Sequence, residues 1–266
     1  VALVYDRPLL CGSLLGLGFA AKLWPGILLP LAVIHLWRRR GGGSAVVASF
    51  VLVAAACFIP FAILQPHGLW LSISGQFDRP LQIESLGSAV LLAAEHLGMA
   101  AHDTITTHGA QALSGSGTRI AAALCTTAEI LAVAGVWFVY ARGRRRSAEA
   151  LLMAAAATIA ALVAFDKVLS PQYLIWIVPF VALVAGRVGI AAAAFLLLAL
   201  GLTQTWFPEN YWYLANGHRS PWTWYLLARD LSLVALAATL AGVQPRMRFR
   251  RRKSTFAGRS ASLRMR

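Results

Sequence analysis

Long runs of apolar residues are the feature that most constrains how this chain folds. The clearest is SAVVASFVLVAAACFIPFAIL at 44–64, which contains no charged residue. A helix needs about 20 apolar residues to cross the hydrocarbon core of a bilayer. Further runs of this kind occupy 119–141, 148–165, 170–186, 188–206 and 222–243. They predict an all-α fold, a polytopic transmembrane bundle.

Composition supports this class. Of the 266 residues, 59% are hydrophobic and only 13% are charged, which leaves too few polar side chains to cover a soluble domain.

Two more stretches are apolar without forming clear single spans. Residues 9–36 are interrupted by KLWPG and form either a hairpin of two short helices or one kinked helix. Residues 86–100 suit an interfacial helix, followed by a flexible exposed loop. We therefore expect about seven or eight membrane helices, with interfacial helices in the large outer loop.

The basic residues predict the orientation of the bundle. Most of them lie in alternate loops and at the C-terminus, at Arg38 to Arg40, Arg142 to Arg146, Arg187 and Arg246 to Arg266. The positive-inside rule makes these loops cytoplasmic. The loops at 65–118, about 165–171 and 206–221 then face outward from the plasma membrane. Residues 1–243 form the membrane domain, and 244–266 form a basic, disordered cytoplasmic tail.

The net charge of +14 does not by itself indicate nucleic acid. A basic tail beside a membrane binds anionic lipid, so we predict membrane lipids as partners and no nucleic acid. The three cysteines lie in apolar segments without paired spacing, and the histidines match no ligand pattern, so neither disulfides nor a metal site are predicted.

The chain opens with VALVYDRPLLCG and no complete first span. We expect it to be the C-terminal part of a longer membrane protein.

Polar residues near membrane depth are candidate functional residues, because a charge there is costly unless it is paired or solvated. Lys22 lies at the break in the first apolar stretch, where its ammonium either meets a lipid phosphate or extends to the interface. A short outer turn combines Asp166 and Lys167, and Ser170-Pro171 is a typical helix start. Gln172 and Tyr173 then lie at the headgroup level, and the turn is richer in polar groups than an aromatic belt requires.

The stretch GQFDRPLQIES forms a third polar group in the outer loop. It contains Asp78, Arg79, Gln82 and Glu84. Carboxylates and amides of this kind bind sugar hydroxyls, and arginine makes forked contacts to phosphate. The alternative is a solvated loop with a weak surface ion pair. The residues alone leave both interpretations open.

Three segments resemble membrane glycosyltransferases of the GT-C class. Gly12 to Pro30, GSLLGLGFAAKLWPGILLP followed by WRRR, resembles the G-x-x-x-G-x-x-x-x-x-K-x-x-P segment of that class. FDRPLQIESLGSAV and DKVLSPQYLIWIVPFVAL are similar to later segments of glycosyltransferase family 87, the DUF2029 group. That group includes polyprenyl-phosphate-mannose-dependent mannosyltransferases.

The resemblance implies transfer of a sugar, mannose by preference, from a polyprenyl-phosphate donor to a glycolipid or lipoglycan at the outer face. Arabinofuranose is the alternative sugar, and a transporter or lipid flippase is the alternative class. No metal or other cofactor is implied. The general base of the class lies in the first extracytoplasmic loop, so we expect it upstream of Val1 and expect this chain alone to be inactive.

The resemblance also implies roles for the polar residues. Lys22, with Arg79 or Lys167, would hold the donor phosphate. Donor or acceptor hydroxyls would be oriented by Gln82, Glu84, Gln172 and Tyr173. Asp78 and Asp166 complete the predicted substrate-binding set.

Overall fold

The computed structural model describes residues 7–37, 41–143, 147–216 and 221–242. Its elements, in chain order, are α1 (Pro8–Ala21), the 3-10 turn η1 (Trp24–Leu28), α2 (Leu29–Leu36), α3 (Gly42–Leu64), α4 (Pro66–Phe77), α5 (Leu86–His96), β1 (His102–Thr107), β2 (Ala110–Gly115), α6 (Thr118–Arg142), α7 (Ala148–Phe165), the 3-10 turn η2 (Pro171–Trp176), α8 (Val178–Val181), α9 (Gly186–Trp206), α10 (Tyr211–Asn216) and α11 (Trp222–Gly242).

Within these described residues, five helices are long and apolar enough to cross a membrane, namely α3, α6, α7, α9 and α11. Three shorter apolar segments, Pro8–Ala21, Trp24–Leu36 and Pro171–Val181, accompany them. The predicted all-α membrane bundle is confirmed. One prediction was wrong in detail, because 170–186 is not a single span. Its prolines break it into η2 and α8, and only at Gly186 does the next long helix begin.

Local sequence accounts for several helix starts. Proline occupies the first turn of α1, α4 and η2, where its missing N–H costs nothing. Ser147 caps α7 by accepting from the Ala150 amide at 3.2 Å, and Ser85 caps α5 by accepting from the Ser88 amide at 3.4 Å. These caps satisfy backbone donors that would otherwise be unpaired at the helix ends.

Residues 9–36 form a hairpin of two short helices, which settles the alternative left open by the sequence. α1 runs parallel to α3, because Gly12 faces Val46 and Gly16 faces Phe50. A β-carbon at Gly12 would overlap the Val46 carbonyl oxygen, so glycine is required for this close approach. The chain reverses at Lys22, and α2 returns antiparallel to α1.

The alanine-rich helix α7 is the centre of the bundle. Most of its residues are buried, and it packs against α6 and α11. Small side chains allow these helices to approach closely, as is typical of helix packing in membranes. One end of the bundle is formed by the break at Lys22, the C-termini of α3 and α7, and the N-terminus of α6. We call it the polar end.

The loop at the polar end, which the sequence predicts to be the outer loop, is more ordered than expected. In place of a flexible loop, β1 and β2 form an antiparallel hairpin that pairs His102 with Gly115 and Thr107 with Ala110. Residues 81–83 extend this sheet, since the Leu113 amide donates to the Leu81 carbonyl at 2.9 Å. The sequence signal was obscured because HDTITTHGAQALSG alternates only weakly between polar and apolar residues.

The opposite end carries the arginines that predicted the cytoplasmic side. Arg142 and Arg187 lie there, and α2 and α6 are joined nearby by a 2.7 Å hydrogen bond between His35 and the Tyr140 hydroxyl. The clusters at 38–40 and 144–146 and the predicted tail at 244–266 lie outside the described residues. Which end faces the cytoplasm stays a prediction.

Candidate functional site

A cavity of about 490 Å³ opens at the polar end, and we call it the interfacial cavity. Five parts of the chain enclose it: the end of α1 with the turn that follows, the helix α3, the helix α4, the end of α7 and the turn η2. Its lining residues include Phe19, Lys22, Trp24, Phe58, Leu69, Ser72, Ile73, Gln76, Leu162, Asp166, Tyr173 and Trp176. Three of the nine predicted substrate-binding residues, Lys22, Asp166 and Tyr173, therefore meet in one cavity.

Lys22 lies on an aromatic platform inside this cavity. Its Nζ is 4.6 Å from the centre of the Tyr173 ring and 4.4 Å from that of Trp176. The two rings stack with centroids 4.1 Å apart, and Trp24 also stacks with Trp176, at 4.9 Å. A cation over an aromatic face is attracted by the ring quadrupole. The ammonium is thereby held at the cavity wall while remaining open to a ligand.

Positive charges outnumber negative charges around Asp166. Arg79, Lys167 and Lys22 all act on its carboxylate, and the Arg79 guanidinium also lies beside the Tyr173 hydroxyl. Glu129 is a second carboxylate in range of Asp166 and Lys167. Partial desolvation lowers the pKa of Lys22, and the positive charge of Arg79 lowers it further. Three cations thus face two carboxylates, which is the electrostatic setting of an anion site.

Asp166 is held in place by the backbone of its own turn. The Val168 amide donates to Asp166 Oδ1 at 2.8 Å. Burial raises the pKa of Asp166, while that hydrogen bond and the nearby cations act in the opposite direction. Its carboxylate cannot rotate away from the cavity without losing the hydrogen bond, so it fixes where Lys22 and Arg79 converge.

The neighbouring Lys167 points elsewhere. Its Nζ donates to the carbonyl of Phe77, the last residue of α4, at 2.9 Å. A cation at this position satisfies a carbonyl that the helix leaves unpaired and complements the helix dipole. Lys167 therefore fastens α4, which forms one wall of the cavity, and does not line the cavity itself.

The other predicted residues lie away from the cavity lining. The side chains of Asp78 and Gln172 are exposed on the protein surface. Gln82 and Glu84 are buried, with 6% and 4% of their surface exposed. The Gln82 backbone is nevertheless bonded to the turn that contains Asp166, because its amide donates to the Lys167 carbonyl at 2.9 Å.

Glu84 belongs to a second group of charges, which we call the buried carboxylate cluster: Gln82, Glu84, Tyr211, Arg229 and Asp230. Arg229 and Asp230 are completely buried, with Nε and Oδ1 3.1 Å apart. Arg229 Nη2 also donates to the Glu84 carbonyl at 2.7 Å. The Glu84 side chain lies beside the Gln82 amide and the Tyr211 hydroxyl, and burial raises the pKa of Glu84 to about 7.

Two polar residues of α4 were not recognised from the sequence. Ser72 and Gln76 line the cavity together with Leu69 and Ile73. Positions 69, 72, 73 and 76 share one helical face, and this spacing was the signal that could have identified them.

Among the residues described in the structure, no three His, Cys, Asp or Glu side chains are placed as metal ligands.

Comparison with known proteins gives no match. No family model, no curated protein and no solved structure matches this chain. The resemblance of the segments around Lys22, Asp78 and Asp166 to GT-C enzymes therefore stays a prediction. Support for a function has to come from the arrangement of the site itself.

Proposed function

We propose that this chain is the donor-binding part of a membrane glycosyltransferase that takes a sugar from a polyprenyl-phosphate donor. The observation that carries the proposal is the convergence of Lys22, Arg79 and Lys167 on Asp166, with Glu129 as the second carboxylate in range. Lys22 and Asp166 line a cavity whose deeper walls are apolar, and Arg79 acts on Asp166 from outside the cavity lining. A phosphate attached to a long hydrocarbon chain has both of the properties that such a cavity selects.

In this proposal the phosphate of the donor lies against Lys22 and Arg79. The reaction breaks the bond between the anomeric carbon and the phosphate oxygen, and the acceptor hydroxyl oxygen forms the new bond to that carbon. Polyprenyl phosphate leaves with an additional negative charge, and the acceptor proton passes to a general base. Cations that are already in place stabilise the charge that develops on the leaving oxygen.

Asp166 acts here as a positioning residue. It keeps the two cations together, and its hydrogen bond to the Val168 amide holds the carboxylate in place. We assign no base to this chain, because Asp78 is exposed outside the cavity and Glu84 is buried away from it. The general base expected upstream of Val1 from the resemblance stays a prediction.

The sugar and the lipid would contact different walls. Ser72 and Gln76 offer hydroxyl and amide groups for sugar hydroxyls, a role that the resemblance had given to Gln82 and Glu84. Tyr173 and Trp176 offer ring faces on which a sugar ring packs. Phe19, Phe58 and Leu162 lie within two turns of the helix ends and suit the first isoprene units of the donor.

The proposal places the polar end at the outer face of the plasma membrane, as the basic loops predict. The acceptor would be a glycolipid or lipoglycan presented on that side. Mannose is the first sugar to test, and arabinofuranose is the second. No metal or soluble nucleotide sugar is invoked.

The test is transfer of radiolabelled sugar in membranes that contain the full-length gene product. Labelled polyprenyl-phosphate mannose is supplied in one series and polyprenyl-phosphate arabinofuranose in another. Lys22→Ala and Arg79→Ala should each reduce transfer about tenfold or more, the loss typical for a charged contact to a developing charge. Arg119→Ala is the matched control, because Arg119 is an exposed cation at the same end outside the cavity.

The outcomes separate the competing functions. Full activity in Lys22→Ala and Arg79→Ala would remove the phosphate assignment. Movement of the lipid across the membrane without formation of a glycosidic product would support a flippase instead. Equal loss in Arg119→Ala would show that surface charge in general, and not the cavity, controls the activity.

A further inference from the structure

The buried carboxylate cluster is not used by the proposed reaction, yet its composition is unusual for a site without solvent. Glu84 and Asp230 are two carboxylates, and Arg229 is a single guanidinium. Their exposed fractions are 4%, 0% and 0%. If both carboxylates were ionised, the cluster would carry one net negative charge in a region that water does not reach.

The described neighbours do not supply a second cation. Arg229 is the positive charge that acts on Glu84 and on Asp230 within the described part of the chain. The other titratable neighbours are Tyr211 beside Glu84, and Tyr173 and Cys125 at longer range. Burial and the Glu84 charge raise the pKa of Tyr211, so it stays neutral as well. None of these groups balances the extra charge at neutral pH.

Hydrogen bonding gives the same result independently of the charge count. Glu84 accepts hydrogen bonds from the Gln82 side chain and the Tyr211 hydroxyl, but its Oε2 and both oxygens of Asp230 have no hydrogen-bond donor among the described protein atoms. The contact between Arg229 Nε and Asp230 Oδ1 is close enough for an ion pair, but adjacent positions on one helix do not give it hydrogen-bond geometry. Buried carboxylates that lack donors are costly when ionised and much less so when protonated.

We propose that Glu84 and Asp230 share one proton in the folded protein, so that the buried carboxylate cluster is a proton-binding site with no net charge. The two groups titrate as a coupled pair, and the proton belongs to the pair. The site joins the outer loop to α11, because Arg229 Nη2 holds the Glu84 carbonyl. Its proton therefore stabilises the attachment of residues 81–84 to the bundle.

The first test measures thermal unfolding of the purified full-length chain in lipid nanodiscs between pH 5 and pH 8. The melting temperature of the wild type should fall by several degrees as the pH rises. Glu84→Gln should clearly reduce that fall, because the amide imitates the protonated acid at every pH. Glu209→Gln is the control, since Glu209 is an exposed carboxylate at the same end, and it should keep the wild-type profile.

The second test distinguishes a shared proton from two separate ion pairs. Glu84→Gln and Asp230→Asn should each leave one carboxylate with Arg229 and cost little at pH 6. The double variant leaves Arg229 without a counter-charge, so its loss in melting temperature should clearly exceed the sum of the single losses. Additive losses, or a wild-type melting temperature independent of pH, would overturn the proposal. If Asp230→Asn does not fold, the pH profile of Glu84→Gln alone decides.

Discussion

The interfacial cavity and the buried carboxylate cluster lie at the same end of the molecule and use the same kinds of residue, but their charge balance is opposite. At the cavity, Lys22, Arg79 and Lys167 outnumber Asp166 and Glu129, which leaves positive charge next to open space. In the cluster, Glu84 and Asp230 share Arg229 where no space is open to solvent. An excess charge beside an opening suits a ligand of opposite sign, whereas an excess charge in the interior must be neutralised by the protein itself.

The largest effect should come from removing the central cation of the cluster. Arg229→Met should destabilise the protein by about 3–5 kcal/mol, the cost of leaving buried charges without their partner. The measurement is chemical or thermal unfolding of purified protein at pH 7. Arg119→Met, at an exposed position near the same end, should change stability by less than about 0.5 kcal/mol. A small loss in Arg229→Met would mean that Arg229 does not hold the cluster together by a buried ion pair.

The pH dependence of stability gives the next largest effect and has a defined sign. The pKa of Glu84 rises from an ordinary value of 4.5 to about 7 in the folded state, so between these values the folded protein binds more protons than the unfolded chain. Stability therefore falls as pH rises through this interval and becomes constant above it. The interval corresponds to at most roughly 3 kcal/mol.

The cavity should contribute less to this pH dependence, because the cations around Asp166 oppose the rise in its pKa that burial causes. Lys22→Ala removes an exposed cation and should change the unfolding profile between pH 5 and pH 8 much less than Glu84→Gln does, although it reduces sugar transfer. Measuring both properties on the same preparation separates the two sites. A profile that changes in Lys22→Ala as much as in Glu84→Gln would show that the two regions titrate together.

A smaller loss of stability is expected at the aromatic platform. Trp176→Leu removes the ring that stacks with Trp24 and Tyr173 and that lies under the Lys22 ammonium. Aromatic stacking contributes about 0.5–1.5 kcal/mol per pair and a cation over a ring a similar amount. We expect a loss of roughly 1–2 kcal/mol in unfolding experiments, together with weaker donor binding. Trp37→Leu, an exposed tryptophan at the opposite end, should affect neither property.

The bundle was largely predictable because each span is a local property of the sequence. Hydrophobicity over some 20 residues identifies a membrane helix without knowledge of its neighbours, and the five long helices begin and end within two residues of the predicted runs. The prediction of a single span at 170–186 was wrong because these residues are apolar enough to cross a membrane, whereas Pro171 and Pro179 interrupt the helix within that run. Hydropathy does not register such breaks.

The site was less predictable because burial and partner choice depend on distant parts of the chain. Asp78 and Glu84 stand six positions apart in one polar stretch, yet Asp78 is exposed and Glu84 is buried against Arg229. No spacing rule within GQFDRPLQIES distinguishes them. The meeting of Lys22 with Tyr173 likewise depends on α1 and η2 packing at the same end, which becomes visible only in the folded chain.

The smallest effect should come from the bond that joins the cavity turn to α4. Lys167→Met removes the 2.9 Å hydrogen bond from Nζ to the Phe77 carbonyl. That bond is exposed to solvent, so its loss should cost at most about 1 kcal/mol and leave the melting temperature nearly unchanged. α4 has no buried residue to hold it otherwise, so its amides should exchange with deuterium faster in the variant, while those of α5 should not.

Asp78→Asn is the control for this variant, because Asp78 follows α4 directly and its side chain is exposed. It should leave exchange in α4 at the wild-type rate. Unchanged exchange in Lys167→Met combined with reduced sugar transfer would instead return Lys167 to the phosphate-binding role that the sequence suggested. Lys167, whose charge already acts on Asp166, would then contact the phosphate together with Lys22 and Arg79, and the contrast with the buried carboxylate cluster would become larger.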